Sequence, residues 1–380
     1  MTGITVKRWY ESYPERYRWI TGYADWKREF VFDDTRHRFG MRFEAASERR
    51  SLHNGELDDY TAIDAYAPAY NQAWSPTADF SLYDQAWRNR SYGLAVQDEI
   101  QHGVWTWLAG LRISRLSQNF DYADYLPTAG TTHTEQADTA VTPRIGATWH
   151  AARGVSLYAN GASAQAAVLP QSRAFDGGSF APVRGSQWET GAKMGPDDGR
   201  WLATLAVFDI RRRNVLTRDP DHAGFSIQTG EQRSSGVELA WQGALAPGWR
   251  LTAQGTWLDA RVERDNRYAV GNPLPYAPKR SVSGWLTHSV AGVGNGRLQL
   301  SGGLVQQSAR YADFANATRL PAFTRFDLAA GYGENGWRLT ATLENLFDKR
   351  YYSSGVENRP AVIYPGAPRT LSLRFVQDFR

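Results

Sequence analysis

A two-residue period constrains this chain more than any other feature. From Trp337 onward, Trp337, Leu339, Ala341 and Leu343 fall on one parity and Arg338, Thr340, Thr342 and Glu344 on the other. The stretch from Trp249 repeats the pattern, with Trp249, Leu251, Ala253, Gly255 and Trp257 set against Arg250, Thr252, Gln254 and Thr256. Trp105 to Ile113, Leu298 to Leu304 and Leu371 to Phe375 do the same. Successive side chains of a strand point to opposite faces, so such runs predict strands with one apolar and one polar face. No segment carries a sustained helical stripe. None approaches the roughly 18 consecutive apolar residues that a spanning helix needs.

A longer rhythm of turns punctuates the strands. His102-Gly103, Arg153-Gly154, Asp198-Gly199, Pro247-Gly248, Asn295-Gly296 and Asn335-Gly336 are turn pairs, and Asp33-Asp34 fits the same scheme. Glycine supplies the positive φ that tight hairpins require. Between these turns lie longer polar segments, predicted as loops at about 51–88, 117–140, 165–186, 217–224, 263–279, 310–321 and 351–366. Short turns at one edge and long loops at the other are the layout of an outer-membrane barrel. The pattern therefore predicts an all-β, antiparallel transmembrane β-barrel of about 15 or 16 strands occupying residues 1–380. The strand from Trp201 would cross the bilayer over Leu202 to Ile210. Arg211, Arg212 and Arg213 would then lie beyond the hydrocarbon, within reach of anionic outer-leaflet lipid such as lipopolysaccharide.

Composition becomes informative against this frame. The chain holds 15 Trp, 19 Tyr and 16 Phe, yet it has a polar average. Apolar residues on a lipid face and polar ones on a wet face explain both figures. Trp105, Trp201, Trp249 and Trp337 stand close to short turns, where an interfacial girdle belongs. With Lys+Arg 43 against Asp+Glu 39, the net charge of +4 is too mild to argue for nucleic acid. The absence of cysteine excludes disulfides, thiolate metal sites and cysteine nucleophiles. The seven histidines fall in no metal-binding spacing, and no Ser, His and carboxylate set stands out, so neither a resident cofactor nor an enzyme is expected. Gly331-Tyr332-Gly333-Glu334-Asn335-Gly336 spells Gly-x-Gly-x-x-Gly, but Trp337 onward alternates like a strand, so a hairpin turn is expected in place of a nucleotide site. Rings within the long loops are different: Phe175, Phe180, Tyr311, Phe314, Tyr351, Tyr352 and Tyr364 are candidates to line a ligand vestibule.

Several segments, in order, resemble the TonB-dependent siderophore receptors of Gram-negative outer membranes. Glu344-Asn345-Leu346-Phe347-Asp348-Lys349-Arg350-Tyr351-Tyr352, followed by Tyr364-Pro365-Gly366-Ala367-Pro368-Arg369-Thr370, is similar to the family's last hairpin. Phe208 to Val215 and Gly230 to Glu238 resemble two internal strands, and Thr142 to Gly146 an earlier one. The resemblance implies a 22-stranded barrel around a plug domain, with import of a ferric siderophore powered by the inner-membrane TonB complex. Iron would then be cargo, and Arg173, Arg184 and Arg310 would join the loop rings as candidate ligand contacts. This chain supplies only part of that pattern. We expect no signal peptide, TonB box or plug within it, and TonB coupling only through a plug; Phe379 is followed by Arg380 where family members end on an aromatic. The alternatives are a plugless diffusion pore, a receptor fragment that does not function alone, an outer-membrane hydrolase and a soluble β-sandwich.

Overall fold

The computed structural model describes residues 5–69, 81–125, 130–170, 172, 174–356 and 359–378. Its strands are β1 (Thr5–Ser12), β2 (Glu15–Phe32), β3 (Thr35–Asp64), β4 (Ser81–His102), β5 (Trp105–Asp124), β6 (Thr131–Ala152) and β7 (Val155–Ala166). They continue with β8 (Val183–Met194), β9 (Trp201–Arg218), β10 (Ser226–Ala246), β11 (Trp249–Arg264), β12 (Arg280–Val293) and β13 (Gly296–Gln307). Last come β14 (Arg310–Tyr311), β15 (Arg319–Leu320), β16 (Phe323–Glu334), β17 (Trp337–Glu344), β18 (Tyr352–Val356), β19 (Arg359–Pro365) and β20 (Thr370–Gln377). One antiparallel meander of 16 strands holds most of them, in the order β1-β3-β4 through β13, then β16-β17-β20. β1 and β2 share one edge, both pairing with β3, and are separated at Pro14, which has no amide to donate to a ladder. The pairs β14–β15 and β18–β19 form separate small hairpins on the loop side.

The predicted turns hold to within one residue; the one placed at His102-Gly103 falls at Gly103-Val104, with His102 still pairing in β4. Asp33, Asp34, Gly103, Gly154, Gly199, Gly248 and Gly336 all have positive φ. The turn placed at Asn295-Gly296 sits one residue earlier, at Gly294-Asn295, and Gly296 already pairs in β13. The larger difference lies on the loop side. β3 runs through Asp64 and β4 begins at Ser81, so much of the predicted loop 51–88 is strand; likewise β5 and β6 take most of 117–140. Above the bilayer both faces of a strand are wet, so the ladder continues while the contrast between faces that reveals it in sequence disappears.

Register links the parities across the sheet. Trp107, Leu111 and Ile113 lie opposite Ala147, Pro143 and Val141 on β6, and this exposed apolar face continues through Leu205, Leu300, Leu328 and Leu371. It is the lipid side expected of a barrel, whereas the opposite face is polar and faces a lumen. The buried apolar groups Ala312, Leu320 and Val262 sit at the loop end. In the spanning stretch of β9 the buried apolar groups are Ala203, Ala206 and Phe208, while large apolar side chains such as Trp107, Leu111, Leu205, Leu300 and Leu328 are exposed, which argues against a soluble sandwich.

Candidate ligand vestibule

Two structures stand at the loop end of the polar face. The first grows from β4 to β6. Trp87 packs on Phe120 at 5.3 Å, and Tyr83 on Tyr122 at 5.5 Å, forming an aromatic surface across β4 and β5. Gln118, Gln136, Thr132 and Thr134 share its face. Residues 174–182 fold over this surface and are held by the side-chain amides of Gln136 and Gln228. Gln136 Nε2 donates to the Phe180 carbonyl at 2.8 Å. Gln228 clamps Ala181 from both sides, accepting its amide at 2.8 Å and donating to its carbonyl at 2.5 Å. Between segment and wall is a cavity of about 920 Å³, lined by Phe120, Tyr122, Asp124, Gln136, Phe175 and Phe180.

Phe175 is fixed from the neighbouring loop, stacking on His222 at 3.4 Å and meeting Phe225 edge-on at 5.3 Å. His222 Nδ1 is 3.0 Å from Asp219 Oδ2, and the amides of Asp221 and His222 donate to the same carboxylate. These donors, the Asp221 amide foremost, hold the Asp219 carboxyl below its ordinary range. The result is an aromatic pocket with amide and carboxylate groups at its rim, suited to a partly apolar ligand of several hundred Å³ that carries hydrogen-bonding groups at its edge.

The second structure ties three loops together over β16. Arg310 is buried and donates through Nη2 to the carbonyls of Tyr352 and Ser353, at 3.0 and 2.8 Å, with Phe323 against its guanidinium. Burial pushes that guanidinium below its ordinary value. Tyr351 stacks on Phe323 at 4.4 Å and reaches Arg325, which pairs with Asp327 at 2.9 Å. Asn345, 1% exposed, donates its backbone amide to Asp327 Oδ1 and, through Nδ2, donates to the carbonyls of Lys349 and Ala367. Asp348 Oδ1 accepts the Arg369 amide at 2.9 Å. Asn345 and Asp348 both hold positive φ, which Asn and Asp tolerate better than most residues. The conspicuous Glu344–Tyr352 motif is thus a device for turning and closing the last loop. Leu346 donates its amide to Phe326, and Phe347 leaves the network to pack edge-on against Phe326 on the lipid side. Gly366 lies so close beneath the Tyr351 ring that a Cβ would overlap it, and Pro365, Pro368 and Arg369 complete the return to β20.

The sequence-selected residues therefore part company. Phe175 and Phe180 meet at the cavity. Tyr311, Tyr351 and Tyr352 belong to the loop network, as does Phe314, which stacks on Tyr268 at 5.4 Å. Tyr364 is half exposed on β19. Arg184 shares the outward parity of Trp188 and lies away from the cavity. Arg173 lies outside the described residues.

Sequence reading passed over a third feature, a charged wall along the polar face of β2 to β6. Arg42 pairs bidentately with Asp25 at 2.6 and 2.8 Å, and Glu44 joins Arg42 to Arg112, 2.7 Å away. Higher up, Arg50 pairs with Glu15 and lies over Trp87; lower down, Arg38 bridges Glu29 and Glu99. Gly93 and Gly110 give these side chains room, because a Cβ on either would sit 2.8 Å from Arg112 or Arg144. Its signal was in the polar parity: Arg36, Arg38, Arg42, Glu44, Glu48 and Arg50 are all even-numbered.

Comparison with known proteins agrees with this architecture. Residues 3–346 match the family described as "TonB dependent receptor-like, beta-barrel". The metal-pseudopaline receptor CntO of Pseudomonas aeruginosa is 32% identical over 337 residues, covering 84% of this chain and 45% of the relative. The ferrioxamine B receptor of Salmonella typhimurium is 30% identical over 336 residues, covering 85% and 45%. The chain thus spans about half the length of the curated relatives it matches. Among solved structures, the closed form of the ferric-catecholate import receptor Fiu from E. coli K12 superposes with a TM-score of 0.82 at 20% identity, over 96% of this chain and 55% of that one.

Proposed function

Because the chain belongs to the TonB-dependent receptor β-barrel family, whose barrels reside in the outer membrane, we propose that it forms the greater part of the barrel wall and ligand vestibule of a ferric-siderophore receptor. The observation that carries this reading is the aromatic cavity under residues 174–182, with Phe175 and Phe180 on one side and Phe120 and Tyr122 on the other. Rings offer apolar area to the chelator's backbone, while Gln136 and Asp124 offer polar groups at the edge. Transport in the complete receptor draws on the TonB complex through a plug. Iron passes as cargo in its chelate, so this wall carries no resident cofactor and no catalytic step. Outer-leaflet lipid and lipopolysaccharide surround the apolar band. The names of two relatives, ferrioxamine B receptor and metal-pseudopaline receptor, supply the probes.

The test is quenching of intrinsic tryptophan fluorescence in the refolded, detergent-solubilised chain on titration with ferrioxamine B and with metal-loaded pseudopaline. Saturable binding to either, weakened about tenfold by Phe175→Ala, supports the reading; loss of one base-stacking-sized contact is worth about that much. No saturable binding, together with a large steady current in planar bilayers, would replace it with the diffusion pore.

A further inference from the structure

The outward face carries two rows of three arginines, built alike and neutralised differently. In the first, Arg211 lies opposite Arg233 and Arg233 opposite Arg261. All three share the parity of the lipid-facing Val207, Val237 and Trp257. Acidic residues stand directly beside them. Asp209 is 3.1 Å from Arg211 and 2.5 Å from Arg233, while Arg261 is 2.9 Å from Asp259 and 3.0 Å from Glu263. This row is internally satisfied, although its Arg211 belongs to the cluster that the sequence marks for lipid contact.

In the second row Arg18 lies opposite Arg49, and Arg49 opposite Arg88. Its parity is that of Trp26, Met41 and Val96 lower on the same strands. One step nearer the apolar band stands Arg90, and one step farther Arg16. Among the described residues Arg88 alone has an acidic partner, Asp121 at 3.1 Å, and that carboxylate also serves His133. Arg16, Arg18, Arg49 and Arg90 have none, and all are exposed. Like charges directly opposite on neighbouring strands repel, and a guanidinium cannot escape by losing its proton. At about 4.8 Å between strands the row spans on the order of 10 Å. It sits just above Tyr92 and Leu94, where the apolar band ends.

We propose that Arg18, Arg49 and Arg90, with Arg88, form a binding site for the phosphate groups of a multiply phosphorylated outer-leaflet lipid. The reading rests on the outer-membrane location given above and on nothing about the transported ligand. A guanidinium takes phosphate oxygens in paired hydrogen bonds, so two phosphates can occupy the row and cancel its repulsion. The compensated row on β9 to β11 is the internal control, since its carboxylates would repel the same headgroup.

The experiment uses the full chain, refolded in zwitterionic detergent and checked for heat-modifiable mobility. It is titrated with bisphosphorylated lipid A, with dephosphorylated lipid A and with inorganic phosphate, in the absence of any iron chelate. The triple variant Arg18→Gln/Arg49→Gln/Arg90→Gln is expected to bind bisphosphorylated lipid A at least tenfold more weakly, and Arg211→Gln/Arg261→Gln within twofold of the parent. Equal losses in the two variants, equal binding of the dephosphorylated lipid, or displacement by equimolar inorganic phosphate would each overturn the proposal. Arg49→Gln alone gives a second reading that survives a folding defect in the triple variant. It should raise Tm in lipid-free detergent by relieving repulsion and lower it when lipid A is present; the same sign in both conditions overturns the site.

Discussion

The wall at β2 to β5 and the loop end above β16 both depend on arginine, and they use it in opposite ways. On the wall, Arg38 and Arg42 remain half-exposed and meet carboxylates in a wet, open ladder. At the loop end, Arg310 is buried and its recorded hydrogen bonds go to the carbonyls of Tyr352 and Ser353. The difference is one of solvent. An exposed pair gains little because water already serves both ions, whereas a buried donor must find a partner or forfeit its hydration. The wall can therefore be recharged at small cost, and the loop end tolerates little change. Function follows the same division, with a fixed frame at the loop end beside a surface free to interact along the wall.

The comparison breaks most readily at Asn345. Its side chain holds both ends of the last loop through Lys349 and Ala367, at 1% exposure. Asn345→Ala removes three hydrogen bonds and strands buried groups, an expected loss of about 3 kcal/mol. Thermal unfolding in detergent should show it as a clear fall in Tm, together with faster proteolysis of residues 345–369. An unchanged Tm would mean that the loop is held elsewhere. Gly366→Ala comes next, with an expected cost of about 2 kcal/mol, because the added methyl must displace the Tyr351 ring from Phe323. Tyr351→Ala in the same chain should restore part of that loss; an equal cost in both backgrounds would show that the ring is not the obstacle.

These residues also mark what was legible in the sequence. Strand identity, turn positions and the lipid face could be read because one side of each strand meets hydrocarbon, and the alternation records it. The upper halves of β3 to β6 could not, since Thr131 to Ala140 and their partners are wet on both sides. The site was half legible. Phe175 and Phe180 stood out as rings in a polar loop, but Gln136 and Gln228, which position that loop, lie 44 and 47 residues from their partners in the chain. Only the register of the sheet brings them together. Arg310 looked like a ligand contact for the same reason, as burial under a distant loop leaves no local mark.

Acid should loosen the loop end before the sheet. Burial pushes the Asp313 carboxyl up, but the amides of Ala317 and Thr318, at 3.0 and 2.8 Å, outweigh it and hold the group below its ordinary value. A carboxylate with a depressed folded value contributes stability that is complete above the unfolded value, about 3.9, and is lost as pH falls through the folded one. Limited proteolysis of segment 308–322 should therefore accelerate below about pH 4, and Asp313→Asn should remove much of that pH dependence. A pH profile unchanged by the substitution would assign the effect to other groups.

The smallest expected effect tests the other side of the comparison. Arg38 reaches Glu99 at 3.0 Å and Glu29 at 3.4 Å, with about half of its side chain exposed (48%). In so wet a setting Arg38→Gln should change stability by no more than about 0.5 kcal/mol, and raising salt to 1 M should erase even that. Because the ladder carries charge along the polar face, the same substitution should still alter the wall's electrostatics, read as a shift in the salt dependence of binding an acidic peptide. A stability loss comparable to that of Asn345→Ala would mean that the wall is held as rigidly as the loop end, and the contrast between the two regions would fail.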